Sequence, residues 1–274
     1  MKYWQAKKLK QTEFKRLTGV KKNFRVMVRT VKAYLLKIKK KPGRKPKLIV
    51  EDQILIMLEY LREYRTYYHI SKTWKMSESN ICRIVHKIEN ILIKSREFRL
   101  PGKKELWQSS SEEELVVMDV MESQIERPKK RQKQFYSGKQ KEHTLKTQLV
   151  IQQKTGLIVC LVNGKGKTHD FKLFKNSGVK FGTLMRVLAD KGYQGIAKIH
   201  QLSQTPIKKK KGKKLTKEEK QYNRQLNRLR ITVEHINRRL KIFKILSYPY
   251  RNRGKRFGLR ANLIAGLHNY DLAN

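Results

Sequence analysis

Acidic side chains are scarce in this sequence. There are 22 Asp and Glu against 66 Lys and Arg, a formal charge of +44 over 274 residues. That balance excludes an ordinary near-neutral metabolic enzyme, because a chain so basic repels itself until a polyanion neutralises it. Cysteine is nearly absent too. Cys82 and Cys160 lie far apart and form no CxxC pair, which argues against a disulfide framework or a cysteine zinc site and for a reducing compartment. Long apolar runs are missing. The most apolar stretch, 48–61, is broken by Glu51, Asp52 and Glu59, so it is too short and too charged to span a bilayer. The opening MKYWQAKKLK has no apolar segment of the signal-peptide kind. Hydrophobic residues at 38% and aromatics at 9% nevertheless suffice for a core, which excludes simple disorder. The charge is spread along the chain rather than gathered on one amphipathic helix, so the expected partner is nucleic acid and not a membrane.

Residues 1–47 hold 18 Lys or Arg and one acid, Glu13. Val26, Val28, Val31, Leu35, Leu36 and Ile38 give a loose helical period. The run Pro42-Gly43-Arg44-Lys45-Pro46 cannot continue a helix and reads as a basic linker, either solvated or lying along DNA. From 48 the pattern is strongly helical, through Ile54, Leu55, Leu58 and Leu61. A short helix fits Tyr67 to Trp74, Ser77 is a good N-cap, and Ile81, Ile84, Val85, Ile88, Ile91 and Leu92 form an apolar stripe. Helix, short helix, tight turn, helix is the outline of a helix-turn-helix. A plain three-helix bundle has the same periodicity; the charge favours the DNA reading. Ser79, Asn80, Arg83 and Lys87 then become the candidates for base or phosphate contacts.

Leu100-Pro101-Gly102 breaks the pattern, and Ser109-Ser110-Ser111 with three glutamates reads as a surface loop. The boundary is expected near 105, giving a basic segment 1–47, a helical domain 48–104 and a larger domain 105–274. In the last, strands are expected at Leu115–Val120, His143–Gln152, Leu157–Asn163 and Thr183–Ala189, the middle two as a hairpin around Thr155-Gly156. A helix starts after His169, a lysine-rich loop spans 208–220, and a long helix covers Lys217–Leu246. This order predicts an α/β fold, a sheet with helices packed on it.

Three acids stand out because acids are rare. Asp119 ends an apolar strand, Asp190 follows another, and Glu234 lies in the late helix. Taken singly, each reads as a turn former, an N-cap or a solvated residue. Together they have the composition of a hard-oxygen metal site. Two ions about 3.5–4 Å apart stabilise the attacking and leaving oxygens of an in-line phosphoryl displacement, which requires carboxylates converging from separate elements. At about 100° per residue, Arg230, Glu234 and Lys241 share a polar ridge of the late helix, opposite Leu229, Ile236, Leu240 and Phe243. Arg230 and Glu234 are either a weak surface pair or a DNA contact beside a metal ligand. Asp170 reads as the N-cap of a helix beginning at Phe171, with a place in the metal site as its alternative; Glu122 is ambiguous in the same way. His143 and His200 are expected to be structural or DNA-facing, and Tyr193 to pack or to stack on a base.

Asp190-Lys191-Gly192-Tyr193 resembles the D-x-G-Y/F motif of bacterial insertion-sequence transposases. Arg230-x₃-Glu234-x₆-Lys241 matches their R-x₃-E-x₆-K signature, and Asp119-Val120-Met121-Glu122 their D-x-T-E segment. Ser137-Gly138-Lys139, His143-Thr144, Lys146-Thr147-Gln148 and Lys167-Thr168-His169-Asp170 are similar to the insertion-sequence-five group in particular. The resemblance covers 45–274. Met121 stands where Thr is usual, and Asn227 where Tyr is usual. The resemblance implies a ribonuclease-H-like mixed sheet flanked by helices over 105–274, preceded by an all-α helix-turn-helix domain. It implies Asp119, Asp190 and Glu234 as catalytic ligands of two Mg²⁺ or Mn²⁺ ions. Lys208, Lys209, Lys210, Lys211, Arg230 and Lys241 would hold DNA alongside the helix-turn-helix residues. Double-stranded DNA, as element ends and as target, would be the partner, held by a homodimer or higher assembly in the nucleoid-associated cytoplasm of a bacterium. The alternatives are a copy that only binds DNA and a nuclease that cuts without joining.

Overall fold

The computed structural model describes residues 1–21, 23–38, 46–108, 114–209, 212–252 and 254–273. The linker residues Pro42–Lys45, the loop 109–113 and Lys210 and Lys211 lie outside them. The chain forms two compact units. The first comprises Met1–Arg99, Leu240–Tyr248 and Leu259–Asn274; the second comprises Leu100–Arg239 and Pro249–Gly258. Their outlines differ from the segments 1–47, 48–104 and 105–274, because two C-terminal stretches are built into the first unit.

The first unit is helical: α1 (Tyr3–Ala6), α2 (Gln11–Thr18), α3 (Asn23–Ile38), α4 (Val50–Glu63), α5 (Tyr67–Trp74) and α6 (Glu78–Lys94). Helix α4 is nearly all buried, from Asp52 to Leu58 and at Tyr60 and Leu61, so it is the hub on which α2, α3 and α6 pack. Lys75 closes α5 with a left-handed backbone, and Ser77 caps α6 by accepting from the Asn80 N–H. That turn sets α5 against α6 in the expected helix-turn-helix order. Ile81, Val85, Ile88, Ile91 and Leu92 are buried, together with Glu89.

In the second unit, α7 (Lys103–Gln108) precedes β1 (Leu115–Gln124), β2 (Tyr136–Ser137), β3 (Glu142–Gln152) and β4 (Ile158–Lys165). Then follow α8 (Asp170–Asn176), β5 (Arg186–Ala189), β6 (Ser203–Gln204) and α9 (Lys217–Lys241). The main sheet runs β4-β3-β1-β5-β6, with β2 on the start of β3. β1 pairs antiparallel with β3 and parallel with β5, and β5 pairs parallel with β6. An antiparallel meander extended by parallel strands is the mixed ribonuclease-H-like sheet the resemblance implies.

β1 does not end at the acid. It continues to Gln124, because Met121 and Ser123 are buried and paired with β3 opposite Thr147 and Leu145. Alternation along the strands sorts the two faces. Val116, Met118, Val150, Val187 and Ala189 join Leu106, Phe174, Tyr193 and Ile196 in one core. Val117, Asp119, Leu149, Leu188 and Asp190 fall on the other face. The late helix also ends sooner than expected, at Lys241; Phe243 caps the short α10 (Lys244–Ser247), and α11 (Phe257–Ala273) follows.

Candidate active site

Parallel pairing places Met118 beside Ala189, so the next residues, Asp119 and Asp190, lie side by side on one face of the sheet. Helix α9 carries Arg230 to them. One guanidinium nitrogen lies 3.1 Å from Asp190 Oδ1 and another 3.6 Å from Asp119 Oδ1. From two turns further along α9, Asn237 donates its amide to Asp119 Oδ2 at 3.0 Å. Arg230 is 9% exposed and Asp119's side chain 19%. Burial pushes the Asp119 carboxyl up to about 6. The Arg230 charge opposes that shift, and the neighbouring Asp190 and Asp170 add to it. In a chain of charge +44, this point carries more negative charge than its surroundings satisfy.

Arg230 therefore does not lie on the exposed ridge expected for α9. The buried side of the helix is Leu226, Arg230, Val233, Ile236 and Leu240, while Leu229 is half-buried. The register is turned because the carboxylate pair, and not solvent, compensates the guanidinium. Glu234 is exposed and lines an open groove with Lys220, Arg224 and Arg228. The structure brings Asp119 and Asp190 together and leaves Glu234 and Lys241 exposed. Among the described residues, no group of three or more His, Cys, Asp or Glu side chains is placed to hold a metal.

Asp170 is not an N-cap. His169 occupies that position, and Asp170 is the first residue of α8. Its carboxylate accepts from Lys146 Nζ at 2.7 Å, and Glu122 lies 3.7 Å from the same ammonium. Thr144 donates to Glu122 at 2.9 Å. The cation on β3 outcompetes a backbone cap because Lys146, only 8% exposed, needs charge partners. Asp170 also presses on the loop after Asp190, where a Cβ at Gly192 would lie 2.7 Å from Asp170 Oδ2. Gly192→Ala is thus expected to cost about 1–3 kcal/mol by forcing that held carboxylate aside. Thermal unfolding of the variant checks this; an unchanged midpoint would refute the contact's importance.

Tyr193 packs rather than stacking on a base. It is fully buried against Phe174 and donates to Gln148 at 3.3 Å. His200 is structural, bonded to Ser203 and to the Gly182 carbonyl, and His143 packs edge-on to Tyr136. In the first unit Ser79, Asn80 and Arg83 are exposed along the first turns of α6. Lys87 turns back to donate to Gln53 at 2.9 Å, and its burial lowers its pKa. Lys208 and Lys209 are exposed. Asn237 and Lys146 were not singled out from the sequence as parts of a site. A helical wheel would have found Asn237, about 20° round α9 from Arg230. Lys146 stands in the Lys146-Thr147-Gln148 stretch similar to the insertion-sequence-five group and is its strand's lone Lys or Arg, but neither signal gives it a role.

Residues 118–269 match the family model of the DDE superfamily endonucleases, and residues 46–98 match the helix-turn-helix of that superfamily. The chain belongs to the DDE superfamily endonucleases. Among its relatives, a probable transposase for insertion sequence element IS702 from Microchaete diplosiphon is 68% identical over 274 residues, covering 100% of this chain and 99% of the relative. No solved structure matches this chain. The superfamily generally uses divalent metal ions. Asp119 and Asp190 fit such an ion by donor chemistry, as two adjacent, partly buried hard-oxygen groups carrying excess negative charge. Glu234 does not join them in this arrangement. No helix among the described residues is long and apolar enough to cross a membrane.

Proposed function

We propose that this protein is the transposase of a bacterial insertion sequence. It binds the element's terminal inverted repeats and performs metal-dependent strand cleavage and strand transfer. The observation that carries the reading is the juxtaposition of Asp119, on β1, and Asp190, directly after the parallel strand β5, at one guanidinium, in a chain of the DDE superfamily. Ser79, Asn80 and Arg83 on α6 read the element end, with Lys208 and Lys209 among the basic residues holding backbone phosphates. Asp119 and Asp190 hold the divalent ions, Mg²⁺ or Mn²⁺, and Glu234 completes the ligand set on the DNA-bound enzyme. Two such ions, when bound, stabilise the attacking and leaving oxygens of an in-line displacement. The carboxylates are ligands and not nucleophiles, so no covalent protein–DNA intermediate forms. Asn237 fixes the Asp119 carboxylate, and the Lys146–Asp170 pair buttresses the loop behind Asp190. Two element ends are held together, which calls for a dimer or higher assembly on DNA in the bacterial cytoplasm.

The test is cleavage of a labelled duplex carrying the element's own end, with Mg²⁺ or with EDTA. Wild type is expected to nick at the end with Mg²⁺ alone. Asp190→Ala and Glu234→Gln are each expected to lose that activity while still binding the duplex. Tight binding with no metal-dependent cut would overturn the enzymatic reading in favour of a DNA-binding protein. Cutting without joined products would reduce it to a nuclease.

A further inference from the structure

We propose that Arg230 occupies the cation position of the DNA-free enzyme and that divalent metal enters only when a DNA phosphate draws the guanidinium away. The inference deepens the reading of Asp119 and Asp190 as metal-holding residues and rests on it. One guanidinium spans both carboxylates, at 3.1 and 3.6 Å. A hard cation would need the same oxygen lone pairs, at about 2.0–2.6 Å. Arginine does not lose its proton, so it leaves only by moving. Two further atoms point to the exchange. Arg230 Nε is buried without a hydrogen-bond partner, and so is Asn237 Oδ1, on the side chain whose amide holds Asp119. The first is a donor that a phosphate oxygen would satisfy. The second is an oxygen that a cation would satisfy and an arginine has not.

A basic groove lies on the neighbouring face of α9. Lys220, Arg224 and Arg228 line the groove of about 530 Å³ that also holds Glu234. Glu234 sits four residues on from Arg230, about 40° round the helix. Arg230 itself does not line the groove, but Glu234 does, one turn along α9 from it. A backbone lodged there brings a phosphate to compete for the guanidinium with the bidentate geometry it favours, and Glu234 is then placed to replace the charge withdrawn. Metal loading is thereby coupled to substrate, and an unbound enzyme carries no loaded cutting centre.

The test is Mn²⁺ binding to the full-length protein, read from the free-ion electron paramagnetic resonance signal. DNA-free wild type is expected to bind weakly. Arg230→Gln is expected to bind about tenfold tighter or more, since a positive charge has left the site, and adding Asp190→Asn should cancel the gain. Duplex DNA should tighten Mn²⁺ binding to wild type, after subtraction of binding to DNA alone, but not to Asp190→Asn. Unchanged or weaker binding by Arg230→Gln overturns the inference. If that variant fails to fold, Arg230→Lys, which keeps the charge but loses the two-pronged contact, should show a smaller gain; no gain there overturns it equally. The cleavage assay separates the two failures. Loss of Asp190-dependent cutting would sink the transposase reading, whereas intact cutting with no gain in Mn²⁺ affinity would sink only the exchange.

Discussion

Asp119→Asn is expected to abolish DNA cleavage, by about a thousandfold or more, while making the folded protein more stable at neutral pH. Asparagine keeps the shape and can still contact Asn237 but removes a charged metal ligand. The stability gain follows from the carboxyl's raised pKa, about 6 against an unfolded value of 3.8. A carboxyl raised in the fold is a liability when ionised. Its penalty is absent below about pH 4, grows as pH rises toward 6 and is complete above that. About 1–2 kcal/mol should therefore be gained at pH 7.5 and almost nothing at pH 4, a shift of a few degrees in the thermal transition. Unfolding curves at the two pH values check the sign. A variant less stable at pH 7.5 than wild type would mean that the Arg230 and Asn237 contacts outweigh desolvation.

Glu89→Ala is expected to cost about 3–5 kcal/mol in the first unit. Glu89 and Arg260 are both fully buried, with Arg260 Nε 2.7 Å from Glu89 Oε1. The guanidinium lies 4.9 Å from the Tyr60 ring centre and donates to the Tyr67 hydroxyl at 3.3 Å. Removing the carboxylate leaves an arginine that cannot neutralise itself in an apolar interior. The pair fastens α11 to α6, whose opening turn presents Ser79, Asn80 and Arg83, so duplex binding should fall with stability. The double variant Glu89→Leu, Arg260→Met removes both charges and should recover most of the loss. Urea midpoints of the single and double variants decide it; a single-variant cost below about 1 kcal/mol would show the pair to be solvated.

Much of this is legible in the sequence alone. The stripe of α6, its Ser77 cap and the short helix Tyr67–Trp74 are local signals, set by 3.6-residue periodicity and side-chain capping. The β3–β4 hairpin and the acid after β5 are local in the same sense. Glu89 was the first thing hidden: an acid within an apolar stripe gives no sign of a partner 171 residues away. The placement of α11 was hidden with it, since a sequence boundary drawn near 105 assumes that the chain does not return.

The carboxylate site divides along the same line. Their places after apolar strands and in the late helix drew attention to Asp119, Asp190 and Glu234 in an acid-poor chain, and the D-x-G-Y and R-x₃-E-x₆-K resemblance is what made them candidate metal ligands. Pairing of β1 with β5 decided that the first two are neighbours, and strand registers are settled by long-range burial. The rotation of α9 decided that Arg230 faces them and Glu234 does not. A helical wheel orders residues around an axis but leaves the angle of that axis to whatever packs against it.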